Sequence, residues 1–382
     1  MKKSFLVVAS SAPSLAGFRK PLILALLNKG LTVHVAAPEL LANTEVMSQL
    51  NELGVVTHDS PMQRTGMNPV SDLKTTLALR RLMKSIQPDY FLGYTIKPVI
   101  YGNLAAWLAG VPNRIALITG LGYAFVDDDK SLKRKAVNQV VVRLYTAALS
   151  RCQVVFFQNQ DDETLFQESG IISTKTNSVV VNGSGVPVEE YIYELAPIHS
   201  SLSFFLMARL IAAKGVRVYV DAARIVKKQY PEANFILAGE LDSNPDGIQQ
   251  KELDGWIKEG LIDYRGRLSD VKPVLKECSA FVLPSYYREG VPRSILEALA
   301  TGRAIITTDS VGCRETVIDS DNGFLIAIKD ADALAEAMLK FIEQPELIGR
   351  MGKRSREMAE QKYDVHKVNH HMLSEMGIVP AR

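Results

Sequence analysis

The segment at residues 284–305, PSYYREGVPRSILEALATGRAI, constrains the fold of this chain more than any other. It follows the apolar run Ala280–Leu283, and a second apolar run, Ala304–Thr308, comes at its end. Both runs have the length and composition of buried strands. Between them lie a loop that contains Glu289 and a helix-length stretch that contains Glu297. This order predicts a βαβ unit whose polar loop lies at the carboxyl end of a strand, where open α/β sheets bind ligands.

The helix start in this segment predicts a site for a phosphorylated sugar. The backbone N–H groups of Val291, Arg293 and Ser294 open the helix and lack partners inside it, so they can bind a phosphate or a sugar hydroxyl. Glu289 and Glu297 flank this start, and carboxylates accept hydrogen bonds from vicinal hydroxyls. The alternative is two ordinary helix charges. The glycine and proline of the loop and the preceding strand favour the ligand site.

Two cations occupy a similar position earlier in the chain. Arg209 and Lys214 follow the apolar run Phe204–Ala208 and come at the start of a helix-length segment, Lys214–Lys228. A guanidinium and an ammonium there would hold a diphosphate and offset the charge of a leaving nucleoside diphosphate without a metal ion. The alternative is a surface charge pair.

These segments resemble the retaining nucleotide-sugar glycosyltransferases of the GT-B fold, glycosyltransferase family 4. Glu289 and Glu297 match the family's Glu-x7-Glu motif, and the segment MARLIAAKG at 207–215 resembles its phosphate-binding Arg and Lys. Other segments similar to the family are VNGSGVP at 181–187, IDYRG at 262–266 and DSVGCRE at 309–315. TGLG at 119–122, ELDSNP at 240–245 and EGVP at 289–292 look most like bacterial N-acetylgalactosaminyltransferases that extend undecaprenyl-diphosphate-linked sugars.

The resemblance implies an α/β fold of the GT-B type, with two Rossmann-like doubly wound domains that face a cleft. The alternation of thirteen strand-like runs with helix-length segments agrees, since thirteen strands exceed one comfortable open sheet. We expect an acceptor-binding domain at residues 1–190 together with a C-terminal helix at 364–382. The nucleotide-sugar-binding domain is expected at 191–363, with the boundary in the polar stretch 185–203.

The resemblance also implies roles for individual residues of the second domain. Glu289, Arg209 and Lys214 would be the catalytic residues. Glu289 would position the sugar rather than act as a covalent nucleophile, and the departing phosphate oxygen would take the acceptor proton. Glu297 would bind the ribose. The remaining donor-binding residues would be Gly290, Val291, Pro292, Arg293, Ser294, Arg265 and Gly266.

The acceptor-binding residues are expected in the first domain. Segment 10–19 follows the first strand, where the family has a glycine-rich turn, and it contains Gly17 and Arg19. Arg19 would bind the acceptor's diphosphate, and an ordinary cation at a helix start is the alternative. Gly120 and Gly122 follow another strand and allow a ligand to approach the backbone closely.

The sequence gives no metal motif where the family's substrates bind. No Asp-x-Asp follows a strand in the expected place. Asp127–Asp129 lies ahead of a basic helix, and it is either a cation site or a solvated cluster at a helix start. The histidines lie outside the matching motifs. We therefore expect no metal, no cofactor other than the UDP-sugar substrate, and no histidine acid or base.

Charge is distributed unevenly along the chain. Residues 1–151 hold 18 Lys and Arg against 9 Asp and Glu, a net charge of +9, although the whole chain carries only +2. A basic first half suits an anionic partner, and the basic segment 130–151 leads into an apolar stripe. The alternatives for this segment are an anionic membrane surface and a packed helix with a charged start. No motif for nucleic-acid binding appears, so we do not expect nucleic acid as a partner.

Localisation is expected to be cytoplasmic and peripheral on the inner face of the cytoplasmic membrane. No apolar run approaches the roughly 20 residues of a membrane span, and the apolar run at 5–9 is too short for a signal peptide. The cysteines, Cys152, Cys278 and Cys313, form neither a paired set nor a metal-binding spacing, which suits a reducing compartment.

The expected function is the retaining transfer of a hexose from a UDP-sugar to a polyprenyl-diphosphate-linked saccharide. By resemblance the hexose is N-acetylgalactosamine, and the process is assembly of a cell-surface glycan such as lipopolysaccharide O-antigen, capsule or N-glycan. Three alternatives stay open. They are a transferase to a soluble acceptor, a nucleotide-sugar epimerase of the same fold, and a sugar-nucleotide-binding protein without catalysis.

Overall fold

A computed structural model describes residues 2–63, 66, 68–121, 132–197, 201–242, 244 and 246–379, with residues 132–137 described by their backbone alone. The chain divides into two compact units. Unit 1 comprises Met1–Ser184 and Val365–Arg382, and unit 2 comprises Gly185–Asp364.

The first division comes six residues earlier than the domain boundary that we placed between residues 190 and 191. Val186, Val188 and Tyr191 already belong to the hydrophobic core of unit 2. The backbone N–H of Val186 also donates to the carbonyl of Tyr363, over 2.8 Å. This hydrogen bond joins the first residues of unit 2 to its last ones, next to the two positions at which the chain passes between the units.

Unit 1 is built on a seven-stranded parallel sheet with the strand order β3-β2-β1-β4-β5-β6-β7. Its strands are β1 (Ser4–Val8), β2 (Thr32–Ala37), β3 (Val56–Asp59), β4 (Tyr90–Tyr94), β5 (Asn113–Ile118), β6 (Val154–Phe157) and β7 (Ser178–Val180). The helices between them are α1 (Ala12–Ala16), α2 (Lys20–Asn28), α3 (Thr44–Glu52), α4 (Pro69–Ile86), α5 (Asn103–Ala109), α6 (Leu132–Leu149) and α7 (Gln160–Glu168).

Helices cover both faces of this sheet because its central strands are apolar on both sides. Phe5 and Val7 of β1 pack in the cluster that contains residues of α2 and α3. Leu6 and Val8, which point to the opposite face, pack in the cluster that contains residues of α4 and α5. A strand buried on both faces is typical of a doubly wound parallel sheet.

Unit 2 repeats the architecture with a six-stranded parallel sheet, in the order β10-β9-β8-β11-β12-β13. Its strands are β8 (Ser203–Met207), β9 (Asn234–Ala238), β10 (Asp263–Tyr264), β11 (Ala280–Leu283), β12 (Ala304–Thr308) and β13 (Gly323–Ile326). Its helices are α8 (Val216–Gln229), α9 (Gln250–Lys258), α10 (Lys272–Glu277), α11 (Arg293–Thr301), α12 (Ala331–Glu343) and α13 (Glu346–Met358).

After unit 2 the chain returns to unit 1 as α14 (Val365–Glu375). Val368, Met372 and Leu373 of this helix are buried in the cluster that contains α2. Helix α14 and the residues after it thus belong to unit 1. None of the helices in the described part of the chain is long and apolar enough to cross a membrane.

All thirteen strand-like runs of the sequence are strands in the structure, but two connections differ from expectation. The helix expected at Lys214–Lys228 is interrupted, because Gly215 adopts a positive φ of 77° between a 3₁₀ turn, Ala212–Lys214, and α8. The turn expected at residues 10–19 instead contains the short helix α1.

Candidate active site

The sheet of unit 2 brings residues 75 positions apart together at its topological switch point. Strands β8 and β11 are neighbours, although β9 and β10 lie between them in sequence. The loops after these two strands therefore leave the same edge of the sheet side by side. Lys214, after β8, forms an ion pair with Glu289, after β11. Two of the three residues expected to be catalytic are thus in direct contact.

This ion pair lies in a largely buried position. The side chains of Lys214 and Glu289 are 13% and 12% exposed, respectively. The ammonium also lies over the ring of Tyr287, 5.3 Å from its centre. Because little water surrounds the pair, its charges are poorly screened, and a phosphate that reached it would interact strongly with Lys214.

Ser285, which the sequence argument did not single out, holds the loop of Glu289 in place. Its Oγ lies 3.3 Å from Oε1 of Glu289 and 3.3 Å from the carbonyl oxygen of Ala213. Its own carbonyl accepts hydrogen bonds from the hydroxyls of Thr308 and Ser310. The position of Ser285, two residues beyond the end of β11, is the signal that could have identified it.

Close backbone contacts fix both loops. Gly312 has a φ of 79°, and a Cβ atom on it would lie 2.1 Å from the carbonyl oxygen of Gly290. Gly215 has a φ of 77°, and a Cβ atom on it would lie 2.1 Å from the carbonyl oxygen of Pro284. Only glycine allows these approaches. The conformations at Pro284 and Gly290 therefore depend on the absence of a side chain at positions 215 and 312.

Arg209 follows the same strand as Lys214 but pairs with Asp242, at 2.9 Å. The guanidinium is 42% exposed, so a ligand can reach it. Burial would raise the pKa of Asp242, but hydrogen bonds from the Asn244 N–H and from Arg209 outweigh it, and the pKa lies below its usual range. A diphosphate at Arg209 would therefore compete with an ionised carboxylate.

Helix α11 begins at Arg293 with Pro292 as its N-cap, and no side chain caps it. Its first turn also contains no acidic residue. The start of α11 thus has the chemistry of an anion site, and the expected donor-binding residues Gly290, Val291 and Ser294 lie at or next to it. Phosphate binding by these backbone groups stays a prediction.

In the structure, the carboxylate of Glu297 is hydrogen-bonded by a residue of its own helix. Its Oε1 accepts a hydrogen bond from Nε of Arg293 over 3.0 Å, and the guanidinium of Arg293 also donates to the carbonyl of Gly185. Burial raises the pKa of Tyr191 well above its usual value, and the charge of Glu297 raises it further. Ribose binding by Glu297 stays a prediction, and it requires the carboxylate to share these partners.

Arg265 and Gly266 lie beyond β10, next to β9 in the sheet. Arg265 forms an exposed ion pair with Asp263 at 2.7 Å. Gly266 has a φ of 63°, and its carbonyl accepts a hydrogen bond from the N–H of Gly239. Arg265 and Gly266 thus follow a strand of the same sheet as Lys214 and Glu289.

Cys313 is the buried thiol of this region. Burial, together with the charge of Glu289, raises its pKa to about 11. A thiol with this pKa is protonated at neutral pH and is a poor nucleophile. Among the described residues, no group of three His, Cys, Asp or Glu side chains has a metal-binding arrangement. Asp127–Asp129 lies outside the described residues.

Of the expected acceptor-binding residues, Gly17, Arg19 and Gly120 are described, and Gly122 lies outside the described residues. Arg19 is only 2% exposed, with its guanidinium over the rings of Phe18 and Tyr94. Gly17 follows α1, and Gly120 follows β5 with a φ of 99°. Acceptor binding by these residues stays a prediction, and Arg19 contributes to the packing of unit 1.

An open cavity of about 1040 Å³ lies in unit 1 at the carboxyl ends of β1 and β2. Its lining includes the hydroxyl residues Ser10 and Ser11 and the carboxylates Glu39 and Glu45. Among the described residues, no Lys or Arg lines the cavity. Carboxylates and hydroxyls suit the hydroxyl groups of a neutral sugar. Segment 10–19 was expected to bind the acceptor, but Glu39 and Glu45 were not singled out, because their position beside it depends on the pairing of β2 with β1.

Both units match glycosyltransferase families. Residues 8–159 match the family described as glycosyl transferase 4-like, and residues 189–358 match the family described as glycosyl transferases group 1. The chain therefore belongs to the glycosyltransferases, and its two parallel-sheet units have the GT-B fold. It is a hexosyltransferase by family.

Two characterised relatives are similar over much of their length. The N,N'-diacetylbacillosaminyl-diphospho-undecaprenol alpha-1,3-N-acetylgalactosaminyltransferase of Campylobacter jejuni is 29% identical over 370 residues, which is 94% of each chain. The UDP-Gal:alpha-D-GlcNAc-diphosphoundecaprenol alpha-1,3-galactosyltransferase of Escherichia coli is 28% identical over 78% of this chain and 77% of its own.

Solved structures confirm the fold. Anabaena HepE in complex with UDP-glucose aligns with a TM-score of 0.76 at 19% identity, over 98% of this chain and 100% of its own. Sucrose-phosphate synthase from Thermosynechococcus elongatus aligns with a TM-score of 0.77 at 16% identity, over 97% of each chain.

Proposed function

We propose that this chain transfers N-acetylgalactosamine, with retention of anomeric configuration, from a UDP-sugar to a saccharide linked to undecaprenyl diphosphate. The observation that carries the proposal is the buried pair of Lys214 and Glu289, beside a helix start without a side-chain cap. The name of the Campylobacter jejuni relative supports the sugar and the acceptor. The Anabaena structure with UDP-glucose supports a UDP-sugar donor.

In this proposal the donor diphosphate binds at the switch point of unit 2. Its phosphates replace the carboxylates of Glu289 and Asp242 as the partners of Lys214 and Arg209. They also accept hydrogen bonds from the N–H groups at the start of α11. As the sugar–phosphate bond breaks, negative charge develops on the diphosphate, and the two cations stabilise it. No metal is required for this charge stabilisation, because the protein supplies two positive charges.

Glu289 then becomes available to the sugar. Once Lys214 turns toward the phosphate, the carboxylate of Glu289 keeps the Ser285 hydroxyl as a partner and can accept hydrogen bonds from sugar hydroxyls. The departing phosphate oxygen accepts the proton of the acceptor hydroxyl, which attacks the same face of the sugar. The cavity beside Glu39 and Glu45 would receive sugar residues of the acceptor.

A panel of donors and acceptors tests this proposal. UDP release is measured with UDP-N-acetylgalactosamine, UDP-galactose and UDP-N-acetylglucosamine, each with a short-chain polyprenyl-diphosphate saccharide and with the same free saccharide. We expect release with UDP-N-acetylgalactosamine and the diphosphate-linked acceptor, and an α-linked product by NMR. Transfer to the free saccharide at equal rate would favour a soluble acceptor. Conversion of the UDP-sugar without transfer would favour an epimerase, and binding without turnover would indicate a non-catalytic protein.

The proposal also places the protein at the cytoplasmic face of the membrane, since an undecaprenyl-linked acceptor resides in a bilayer. The net charge of +9 on residues 1–151 supports attraction to anionic lipids. Co-sedimentation with anionic vesicles at low and high salt tests this association, and a protein that stays in the supernatant at low salt contradicts it.

A further inference from the structure

We propose that unit 1 docks on an anionic bilayer through one defined surface, formed by α4 and α5 with the exposed side of α6, and that Leu73, Leu77 and Trp107 enter the lipid. This inference rests on the proposed membrane acceptor and identifies the surface that brings the enzyme to it. The α4–α6 surface is defined by its exposed apolar side chains, which are Val70, Leu73, Leu77, Trp107, Leu108 and Val140.

The outward side of α4 carries apolar and basic residues without an acidic one. Val70, Leu73 and Leu77 are exposed at helical spacing in its first half, and Leu73 and Leu77 are 60% and 40% exposed. Arg81 and Lys84 are exposed in its second half. From Val70 to Lys84 this stripe covers roughly 21 Å of helix, because each residue adds about 1.5 Å. A helix with this pattern on its free side is typical of a membrane surface.

The one acidic residue of α4 does not reduce this charge, because it is turned inward. Asp72 is buried and receives hydrogen bonds from Lys97 at 2.8 Å and from the hydroxyl of Tyr101 at 3.0 Å. The Asn68 side chain caps the helix by accepting from two backbone N–H groups. Helix α4 is thus held to unit 1 from its inner side, and its outer side is a preformed surface.

Helix α5 extends the surface with an aromatic side chain. Arg80 of α4 donates to the carbonyl of Leu108, which places the end of α5 against α4. Trp107 next to it is 46% exposed, and the guanidinium of Arg151 lies 4.2 Å from the centre of its ring. Tryptophan is enriched at membrane–water interfaces, and an arginine beside it suits an anionic headgroup.

A comparison of the helices of unit 1 favours lipid at this surface. Helices α4, α5 and α6 together contain eight Lys and Arg and one Asp. Helices α2, α3 and α14, on the other face of the sheet, contain two Lys and three Glu and have no large exposed apolar side chain. Helix α7 carries four carboxylates, so the surface ends at α6. Positive charge and exposed apolar area coincide on one side of the unit, which is the complement of an anionic bilayer.

The tryptophan content of the chain allows a direct test. The chain has two tryptophans, and Trp256 is 8% exposed in the core of unit 2. In a Trp256→Phe variant the emission therefore reports Trp107 alone. We expect a blue shift when vesicles containing phosphatidylglycerol are added, and quenching by brominated acyl chains. Unchanged emission on vesicles that bind the protein would overturn the inference.

Matched surface variants provide the second measurement. Leu73→Glu/Leu77→Glu removes two apolar contacts, and Ile257→Glu/Ile318→Glu makes the same charge change at sites in unit 2 that are 43% and 56% exposed. We expect the first pair to weaken partition onto phosphatidylglycerol vesicles about a hundredfold. The second pair should bind like the wild type. Equal loss in both pairs, or no loss in the first, would overturn the inference.

Two further controls separate this inference from its alternatives. A Lys133→Glu/Arg134→Glu/Lys135→Glu variant tests the start of α6, and if it abolishes binding while the Leu73/Leu77 pair does not, the docking surface is wrong. Binding to native membranes but not to protein-free vesicles would also overturn it, in favour of a protein partner.

Activity on a water-soluble, short-chain acceptor is measured in parallel. We expect the Leu73/Leu77 pair to retain it, which shows that the variant is folded. Loss of activity in every protein, the wild type included, would contradict the proposed function and leave the vesicle result to decide the docking surface.

Discussion

The pairing of Lys214 with Glu289 predicts different effects on stability and on activity, and a double-mutant cycle can separate them. The variants are Lys214→Met, Glu289→Gln and the double variant, each of which approximately preserves side-chain volume. If the pair is catalytic as well as structural, restoring stability in the double variant will not restore turnover.

The stability part follows from burial. Removing one partner of a buried ion pair costs about 3–5 kcal/mol, because it leaves an uncompensated charge. Both side chains of this pair are about one eighth exposed to solvent, and Glu289 retains a contact with Ser285. We therefore expect each single variant to lose about 2 kcal/mol, and the double variant about 1 kcal/mol. For a unit of this size, 2 kcal/mol lowers Tm by about 4–8 °C.

The activity part follows from the positions of the two groups. Each single variant should lose about a hundredfold in kcat, since each removes a charged group from a water-poor site in which charge develops. The double variant should remain at least about a hundredfold below the wild type, because both groups are then missing.

The measurement uses the position of the two tryptophans. In a Trp107→Phe background, Trp256 emission follows the thermal unfolding of unit 2 alone, so unfolding of unit 1 does not obscure the transition. UDP release gives kcat for the same four proteins. A double variant that recovers wild-type turnover together with its Tm would refute the catalytic assignment and make the pair a structural contact.

Four further predictions concern the neighbouring residues and the need for a metal ion. Gly312→Ala should destabilise unit 2 and reduce turnover, because a Cβ atom would lie 2.1 Å from the Gly290 carbonyl oxygen, and wild-type Tm would contradict this. Arg209→Ala should lower kcat/KM about a hundredfold. Wild-type turnover should survive EDTA, because the two cations stabilise the developing charge. Loss of wild-type activity in EDTA that Mg²⁺ or Mn²⁺ restores would show that a metal ion is needed. Glu297→Ala should weaken UDP binding in calorimetry, whereas unchanged affinity would remove its assignment to the ribose.

The strands could be predicted because most of them are apolar on both faces. Ala280–Leu283 and Ala304–Thr308 have the same bounds in sequence and structure, and both are buried throughout. At the edge of the sheet, β10 has only two residues, and because both are half-buried its apolar signal in the sequence is weak. The break at Gly215 is visible in the sequence only as a Lys-Gly dipeptide, and the close approach of Pro284 to Gly215 comes from a distant part of the chain.

The members of the candidate site could be predicted, but their pairing could not. Lys214 and Glu289 each follow a strand, and that is a local property of the sequence. Their contact requires β8 to lie beside β11, which is set by how the whole sheet is ordered. For the same reason Asp242, the partner of Arg209, was not anticipated. Arg293, the partner of Glu297, lies four residues before it in α11, a spacing at which helix side chains meet and which could have been predicted.

The net charge of a segment does not show which side of the folded unit is basic, and the docking surface is an example. The sequence places nine net positive charges in residues 1–151 and draws attention to the cationic start of α6. Along α4, however, the sequence is less basic, because Asp72 lies among its lysines and arginines. Folding buries that carboxylate by pairing it with Lys97 in the interior, and leaves Leu73 and Leu77 exposed on the same helix as exposed lysines and arginines. The buried ion pair therefore determines the charge of the outer side of the helix. Replacing Lys97 should weaken vesicle binding if Asp72 then leaves the interior and α4 is released from the unit. If Asp72 stays buried, vesicle binding should be unchanged.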